Sequence, residues 1–359
     1  HLRRIMIEAV GAPPLAVARA QRAQTARTLI ETTAMRFTDV AFAAGFSSLR
    51  QFNDTIREVF DATPTELRAK RNLAPSDPGS LSIRLPFRAP LAGDYFLAWA
   101  DKRTVAGVAN VEAGRLSTAL RLENGNGIAV LEIAEQWVQC NLELDDVADL
   151  AGAVAQCRRM LDLDADPTHI DAALVAVKSL AGYIGALPGL RSPGSSDGFA
   201  TLVFAVLGQQ RSVAAARTLA SRIVKRASES SGRLQPFPTP AQVAETDLAD
   251  MGLTKRTAET IHAVAELFDG RTEELTPGAD RDEVRKELVT VKGIGPWTAN
   301  YIAMRVLGHP DIFLGGDLVA DRSALSLGLT PEMIAAASPW RSYLTHHLWA
   351  ASASLKAAS

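Results

Sequence analysis

The chain has 359 residues, of which 47% are hydrophobic and 22% charged, and it carries a formal net charge of −2 at pH 7. This length allows two or three domains with a sizeable core each, and the composition is ordinary for a soluble globular protein. The longest apolar run, Phe199 to Gly208, is too short to cross a bilayer, so we expect no membrane segment.

Cysteine usage and the first residues bear on the compartment. Cys140 and Cys157 are too few for a four-cysteine zinc or iron–sulfur site, and a single disulfide is not expected without a secretory context. The sequence starts at His1 with no charged and apolar leader, which favours a fragment or a processed chain without secretion. We therefore expect a cytoplasmic protein without a metal site.

The first 71 residues form a basic, helical segment. They contain 11 Lys and Arg against 7 Asp and Glu, a local charge of +4 that leaves −6 for the rest of the chain. A basic segment on a slightly acidic protein favours an anionic partner. Strong helix formers predict a helix over 20–34, and 38–60 predicts two short helices joined at Gly45, which is helix-turn-helix spacing.

A turn-rich stretch, 72–80, separates this segment from a strand-rich one and is interpreted as a linker. Apolar and polar residues alternate over 81–87 and again over 138–144, which predicts strands. A hairpin turn is predicted at 124–127, where Asn and Gly permit a left-handed backbone. We expect an α+β domain with an antiparallel sheet over 81–192.

The remaining residues, 193–359, predict an all-helical domain. Apolar residues recur at helical spacing in five segments, separated by breaks that contain Gly or Pro. The predicted helices cover 212–226, 254–268, 281–289, 297–307 and 339–353. The predicted fold class is therefore multidomain and mainly α with one α+β domain: a helix-turn-helix bundle over 1–71, the antiparallel-sheet domain and the all-helical domain.

Four residues, Lys292, Gly293, Ile294 and Gly295, join two of these helices. Glycine tolerates positive φ without steric cost, so two glycines at this spacing permit a sharp turn. Such a turn directs backbone N–H groups and the positive end of the next helix outward, which favours a phosphate. No Gly-Lys-Ser/Thr ending follows, which excludes a nucleotide P-loop and favours a DNA backbone. The glycines alone fit a tight helix connection without a ligand equally well.

Asp317 follows a pair of glycines downstream of this turn. The block from Leu288 to Ala324 resembles the helix-hairpin-helix DNA glycosylase superfamily, in which a Gly/Pro-rich loop and an aspartate follow the hairpin. The segments Leu207 to Val213 and Pro339 to Trp349 resemble the AlkA type, 3-methyladenine DNA glycosylase II. This resemblance runs from about Leu81 to the C-terminus, and it implies a helix-hairpin-helix glycosylase core that excises alkylated purines in base excision repair.

The resemblance implies that Asp317 is the catalytic residue. Hydrolysis of an N-glycosidic bond builds positive charge on the deoxyribose, and a carboxylate beside C1′ stabilises that charge and orients the water. From the residues alone, Asp317 fits an N-cap for a helix that begins at Leu318, and Asp321 is a second carboxylate nearby. Members of the superfamily that cut the strand carry a lysine where this chain has Trp297, so we expect a monofunctional enzyme.

Alkylated purines are cationic and electron-poor, and aromatic walls bind them by stacking and cation–π attraction. Trp297, Tyr301 and Trp349 match aromatic pocket positions of the AlkA type, and Trp99 is a candidate to complete the wall. Trp297 and Tyr301 are four residues apart, so a helix places them on one face. Core packing is the alternative interpretation of each aromatic.

Base flipping requires a residue that fills the gap in the base stack. The family uses an apolar wedge at the position of Gln210, which is followed by Arg211. A glutamine can occupy the gap and hydrogen-bond the orphaned base but stacks less well, and a solvated helix start is the alternative. His346 and His347 have no acidic or cysteine neighbours at metal-ligand spacing, so we predict core or surface residues. We expect no cofactor, apart from a monovalent cation that the resemblance allows at carbonyls of the hairpin.

Residues 37–68 resemble the second helix-turn-helix of AraC-family regulators, and 1–19 resemble the recognition helix and exit of the first. The candidate major-groove or phosphate contacts are Arg50, Gln51 and Asn53 on the second recognition helix and Arg3 and Arg4 on the first. A solvated basic face is the alternative. The fusion resembles the adaptive-response Ada and AlkA proteins in one polypeptide, and the zinc-bound cysteine module of Ada-type proteins would lie upstream of His1.

Three hypotheses follow. The first is a monofunctional alkylpurine DNA glycosylase fused to an Ada-like transcriptional regulator, a monomer with alkylated duplex DNA and promoter DNA as partners. The second is a catalytically inactive regulator of the alkylation response, which Gln210 favours and which Asp317, Trp297 and Trp349 oppose. The third, a bifunctional glycosylase for oxidised bases, requires a lysine at position 297 and is rejected.

Overall fold

The computed structural model describes residues 13–32, 35–69, 81–228 and 232–357. Arg3, Arg4 and the linker predicted at 72–80 lie outside the described residues. Within the described ranges, no helix is long and apolar enough to span a lipid bilayer. The predicted fold class is confirmed: helices dominate, and one antiparallel sheet stands among them.

Four helices lie in the described part of the N-terminal module. The prediction of two short helices joined at Gly45 is confirmed, since Gly45 has a φ of 80° and Ser48 caps the second helix by accepting the Gln51 N–H at 3.2 Å. The helix predicted over 20–34 begins earlier, at Pro14, because proline fits the first turn of a helix. The helices are α1 (Pro14–Thr32), α2 (Phe37–Ala43), α3 (Leu49–Phe60) and α4 (Pro64–Ala69).

A five-stranded antiparallel sheet and one helix follow, with the elements β1 (Leu81–Pro86), α5 (Gly93–Asp101), β2 (Ala109–Glu112), β3 (Arg115–Arg121), β4 (Asn126–Ile133) and β5 (Trp137–Leu144). The strand order in the sheet is β1-β5-β4-β3-β2. The strands predicted over 81–87 and 138–144 are confirmed. The hairpin turn predicted at 124–127 lies slightly earlier, because Asn126 already pairs with Arg121 in the ladder.

The rest of the described chain is helical. Its helices are α6 (Leu150–Met160), α7 (Pro167–Val175), α8 (Ala181–Ala186), α9 (Gly198–Leu207), α10 (Val213–Ala227), α11 (Pro240–Glu245), α12 (Lys255–Phe268), α13 (Arg281–Leu288), α14 (Pro296–Arg305), α15 (Leu318–Ser326), α16 (Pro331–Ala336) and α17 (Arg341–Ala357). The five helices predicted after residue 193 correspond to α10, α12, α13, α14 and α17.

Three apolar clusters form the core. The largest lies among α9, α10 and α12 to α14. The second is continuous from the N-terminal module into the sheet, since Leu29 and Phe52 belong to the same cluster as Ile83 and Leu131. A smaller one packs α7 and α15 against α17. Trp349 packs against both the first and the third cluster, so its surroundings mark the place where these parts of the chain meet.

Candidate active site

One face of α14 presents three large side chains in a row. Gly295 is the N-cap and Pro296 the first residue of the helix, so Trp297, Tyr301 and Arg305 recur every four residues. The rings of Trp297 and Tyr301 stack with centroids 5.3 Å apart and planes 14° apart. Arg305 Nη1 donates to the Tyr301 hydroxyl at 3.4 Å. The predicted shared face of Trp297 and Tyr301 is thus present, with Arg305 extending it.

Asp317 is the N-cap of α15, with its backbone extended. Its Oδ1 accepts the N–H groups of Val319 at 3.1 Å and Ala320 at 2.9 Å, and it also accepts Nε1–H of Trp349 at 3.0 Å. These three bonds fix the plane of the carboxylate, and Oδ2 has no hydrogen-bond partner in the described part of the chain. The helix cap inferred from the residues is therefore present, and it holds a carboxylate that keeps one oxygen for a ligand.

Trp349 stands on α17, half-buried between Asp317 and His346. Its ring meets the imidazole of His346 edge-on, with centroids 4.9 Å apart. His346 in turn faces Trp99 of α5, with centroids 6.2 Å apart. A series of contacts therefore connects the all-helical domain to the sheet domain, from Asp317 through Trp349 and His346 to Trp99.

His346 and His347 are buried core residues, only 0% and 2% exposed. Neither ring nitrogen of His346 has a hydrogen-bond partner. Burial, and then the charges of Arg305 and Arg103, hold the pKa of His346 well below its ordinary value, so the imidazole is neutral near pH 7. No group of three or more metal-ligating side chains occurs among the described residues.

Trp99 is in contact with two guanidinium groups. The central carbon of Arg305 lies 4.3 Å from its ring centroid, and that of Arg103 lies 4.4 Å away. Phe96 stacks nearby with centroids 6.3 Å apart, and the Trp99 indole N–H is buried without a partner. The ring area of Trp99 that remains for a base is correspondingly small, so its place in the base pocket stays a prediction.

A cavity of about 160 Å³ lies between α5, the sheet, α9 and α14. Trp99, Arg103, Tyr301, Arg305 and Asp197 are on its wall. Sequence reasoning missed both arginines. Arg305 had a usable signal, because it continues the four-residue spacing of Trp297 and Tyr301. Arg103 had none, because it reaches the cavity from a distant part of the chain.

The hairpin from Lys292 to Gly295 turns as the glycines predict. Gly293 has a φ of 101°, and a Cβ there would lie 2.2 Å from the Thr260 hydroxyl oxygen. Ile294 is buried and Lys292 is exposed. A Cβ at Gly295 would meet nothing within 4 Å, and the helix start there has no side-chain cap. The N-terminus of α14 is thus open, with a cationic side chain beside it.

Gln209 hydrogen-bonds the hairpin and so connects it to the predicted wedge loop. The sequence did not single out this residue. Its Nε2 donates to the Gly293 carbonyl at 3.0 Å and to the Thr298 hydroxyl at 3.2 Å. Gln210 follows with a φ of 56° and an exposed side chain. Arg211 Nη1 donates to the Gly252 carbonyl at 3.2 Å. Gln210 is therefore the exposed tip of a turn that its neighbours hold in place.

Three candidate DNA contacts in α3 have different surroundings. The Arg50 side chain is 93% exposed and lies 3.9 Å from Asp54. The Gln51 amide oxygen accepts the Ser47 hydroxyl at 2.9 Å, which engages it in the start of the helix. Asn53 is half-buried. Arg50 is therefore the most accessible of the three.

Comparisons with known proteins agree with this arrangement. Residues 82–197 match the AlkA N-terminal domain, and 1–70 match a helix-turn-helix domain. The chain is 45% identical, over 97% of its length and 73% of the relative, to the probable bifunctional transcriptional activator/DNA repair enzyme AlkA of Mycobacterium tuberculosis. It is 34% identical, over 74% of its length and 95% of the relative, to DNA-3-methyladenine glycosylase 2 of Escherichia coli. The solved 3-methyladenine DNA-glycosylase of Archaeoglobus fulgidus has a similar fold, with a TM-score of 0.67 at 20% identity, covering 75% of this chain and 98% of that one.

Proposed function

The chain belongs to the AlkA family of bifunctional transcriptional activators and DNA repair glycosylases, and we propose that it removes alkylated purines of the 3-methyladenine and 7-methylguanine type from duplex DNA. The observation that carries this proposal is the carboxylate of Asp317, held by the start of α15 and by Trp349. The glycosylase half is a hydrolase, and the N-terminal module is the regulatory half.

Asp317 acts on the sugar in the proposed reaction. As the bond between C1′ and the base nitrogen breaks, its electron pair goes to the base and positive charge grows on the deoxyribose. A fixed carboxylate stabilises this charge and orients the attacking water. Because three hydrogen bonds already hold Oδ1 of Asp317, little reorganisation is needed when the charge develops.

The stacked pair of Trp297 and Tyr301 offers an aromatic surface to a flipped base. A cationic alkylated purine gains both stacking and cation–π attraction on such a surface. A tryptophan at position 297 supplies no amine for a Schiff base, so the proposed enzyme uses water and leaves the strand intact. Gln210, at the exposed tip of its turn, is the proposed wedge that enters the gap.

The hairpin is proposed to bind the DNA backbone through the open N-terminus of α14 and the exposed Lys292. The Lys292 and Gly293 carbonyls already accept hydrogen bonds from Thr260 and Gln209. A monovalent cation would have to use their second lone pairs, and no step proposed for this site depends on one. Arg50 of α3 is proposed to contact promoter DNA.

The experiment measures release of free base from methylated duplex DNA without alkali or heat. We expect release by the wild-type chain with the strand left intact. Asp317→Asn should lower the rate about a hundredfold or more and leave duplex binding unchanged.

The matched control is Asp321→Asn, four residues further along α15. Its Oδ2 accepts the Gly316 N–H at 3.0 Å, a bond that an amide oxygen can still accept. This variant should keep wild-type activity. Equal activity of the Asp317→Asn variant would exclude the assigned role, and DNA binding without any base release by the wild type would favour the inactive regulator instead.

A further inference from the structure

Arg103 is a cation on the wall of the cavity beside Tyr301, and the proposed chemistry does not use it. Asp317, Trp297 and Trp349 are not on the wall of that cavity, so Tyr301 is the residue that the cavity shares with the proposed base site. Arg103 follows α5 in the sheet domain and lines the cavity together with Tyr301 of α14. Its Nη1 donates to the Trp99 carbonyl at 3.1 Å, and its guanidinium rests against the Trp99 ring. Burial lowers the pKa of Arg103, and the nearby Tyr301, Tyr95 and Asp317 partly offset this. Arg103 therefore lies within electrostatic reach of the carboxylate that acts on the sugar.

Arg305, the other arginine in contact with Trp99, is buried and hydrogen-bonded within the protein. It is 6% exposed, and its donors go to the Pro193 carbonyl at 2.5 Å, the Gly194 carbonyl at 3.0 Å and the Tyr301 hydroxyl at 3.4 Å. Arg103, in contrast, is only half-buried, and it donates to the Trp99 carbonyl and interacts with the Tyr301 hydroxyl. Of these two arginines, Arg103 is the more exposed and has more N–H donors left for a ligand in the cavity.

Asp197, also on the cavity wall, does not cancel the charge of Arg103, because it caps α9 by accepting the Ala200 N–H at 2.9 Å and has Arg121 as its cationic neighbour. His346, buried beside Trp99, is neutral. A flipped purine with its C1′ near Asp317 carries N7 and the 6-substituent along one side edge, and this is the edge that would face Arg103. A guanidinium donates well to a 6-oxo group and an unsubstituted N7, whereas it repels a cationic alkylated base.

We propose that Arg103 is a specificity-determining residue that selectively speeds the release of neutral 6-oxopurines, such as hypoxanthine, and contributes nothing to the release of the cationic alkylpurines that the stacked aromatic pair binds. The inference rests on the proposed glycosylase function. When the bond from C1′ to N9 of a neutral purine breaks, the electron pair leaves negative charge on the base. Water adds to C1′ and gives its proton to Asp317, and the departing base takes up one proton from Asp317 or solvent, so that one water is consumed. A cationic base leaves as a neutral molecule and gains nothing from the guanidinium.

The test compares single-turnover release of hypoxanthine and of 7-methylguanine from otherwise identical duplexes. Arg103→Gln should slow hypoxanthine release about tenfold or more and leave 7-methylguanine release unchanged or up to about threefold faster. Arg103→Lys keeps the charge but loses the planar fork, so its effect should be intermediate. The control is Arg115→Gln, an exposed arginine on β3 that pairs with Glu132 at 3.0 Å, and it should match the wild type.

Equal losses for both bases in the two Arg103 variants would overturn the inference, because they would indicate a packing role at Trp99. An unchanged ratio of the two rates would overturn it as well. Release of 7-methylguanine without hypoxanthine by the wild type would refute the inference and leave the proposed function standing. Release of neither base would overturn the proposed function and this inference together.

Discussion

His346 is a polar side chain buried between Trp99 and Trp349 without a hydrogen-bond partner on either ring nitrogen. A neutral imidazole has one N–H and one acceptor nitrogen, and a buried polar group without a partner costs about 1–3 kcal/mol. Burial first, and then the charges of Arg305 and Arg103, hold its pKa well below the ordinary value of 6.5. The folded protein therefore resists protonation of this residue.

Replacing His346 by leucine, which has a similar volume, should raise the free energy of unfolding by about 1 kcal/mol at pH 7. It should also remove a pH dependence. Below pH 6.5 the unfolded chain binds a proton at His346 that the folded chain does not bind. Wild-type stability is therefore lost as the pH falls from 6.5, by up to about 1.4 kcal/mol per pH unit.

Urea unfolding of both proteins at pH 7 and at pH 5.5 checks this prediction. The difference between them isolates His346, because other groups titrate alike in both. Burial raises the pKa of Asp162 to about 6, for example, which stabilises both folded chains as the pH falls through that value. His169→Gln, at an exposed histidine of α7, is the control. Parallel pH profiles for the wild type and His346→Leu would contradict the prediction.

Only part of the site could be predicted residue by residue from the sequence. The spacing of Trp297 and Tyr301 was enough to place both on one helix face, because helical geometry is local. The bond from Trp349 to Asp317 joins residues far apart in the chain, so only the family resemblance brought them together. Arg103 reaches the cavity through the packing of two domains, and local patterns contain no information about such contacts.

The hairpin before α14 offers the sharpest test at the level of a single element, because its two glycines differ in their surroundings. Gly293 has a φ of 101° and no room for a Cβ beside Thr260. Gly295 has ordinary extended backbone, with a φ of −101°, and open space around it. Gly293 is therefore needed for the fold, whereas any need for Gly295 must come from a ligand.

Gly293→Ala should lower the free energy of unfolding by about 1–3 kcal/mol, because alanine is strained at this backbone conformation. Gly295→Ala should keep the stability or raise it by up to about 1 kcal/mol. It should nevertheless weaken binding to undamaged duplex DNA, because the added methyl group would stand between the backbone and a phosphate. Urea unfolding and duplex titration at fixed salt measure the two quantities. Wild-type affinity in Gly295→Ala would mean that the hairpin does not contact DNA.

Helices and strands could be predicted where apolar residues recur at a regular spacing over a long segment. Alternation of apolar and polar residues predicted β1 and β5, and apolar residues at helical spacing predicted α10, α12 and α14. The helix α5 was not predicted, since its nine residues lie between strands and are too few for a clear helical period. The turn between β3 and β4 lies earlier than predicted, because Asn126 pairs with Arg121 and so belongs to β4. Pairing between the strands therefore sets that boundary.

At the scale of the whole molecule, the N-terminal module and the sheet domain share one apolar core. Leu29 of α1 and Phe52 of α3 lie in the same cluster as Ile83 of β1, and all three are fully buried. Helix α1 contacts β1, one of the two edge strands of the sheet. The basic segment is thus joined to the repair half by packing, and the stability of one should depend on the other.

Ile83→Ala tests this coupling. Loss of a fully buried isoleucine should cost about 2–5 kcal/mol, and the amides of α1 and α3 should exchange hydrogen faster although the substitution lies outside the N-terminal module. The control is Ile261→Ala in α12, equally buried but in the separate helical cluster. It should accelerate exchange around α12 and leave α1 and α3 unchanged. If the two variants had the same effect on α1 and α3, the shared core would not couple the modules, and each would be free to engage DNA independently.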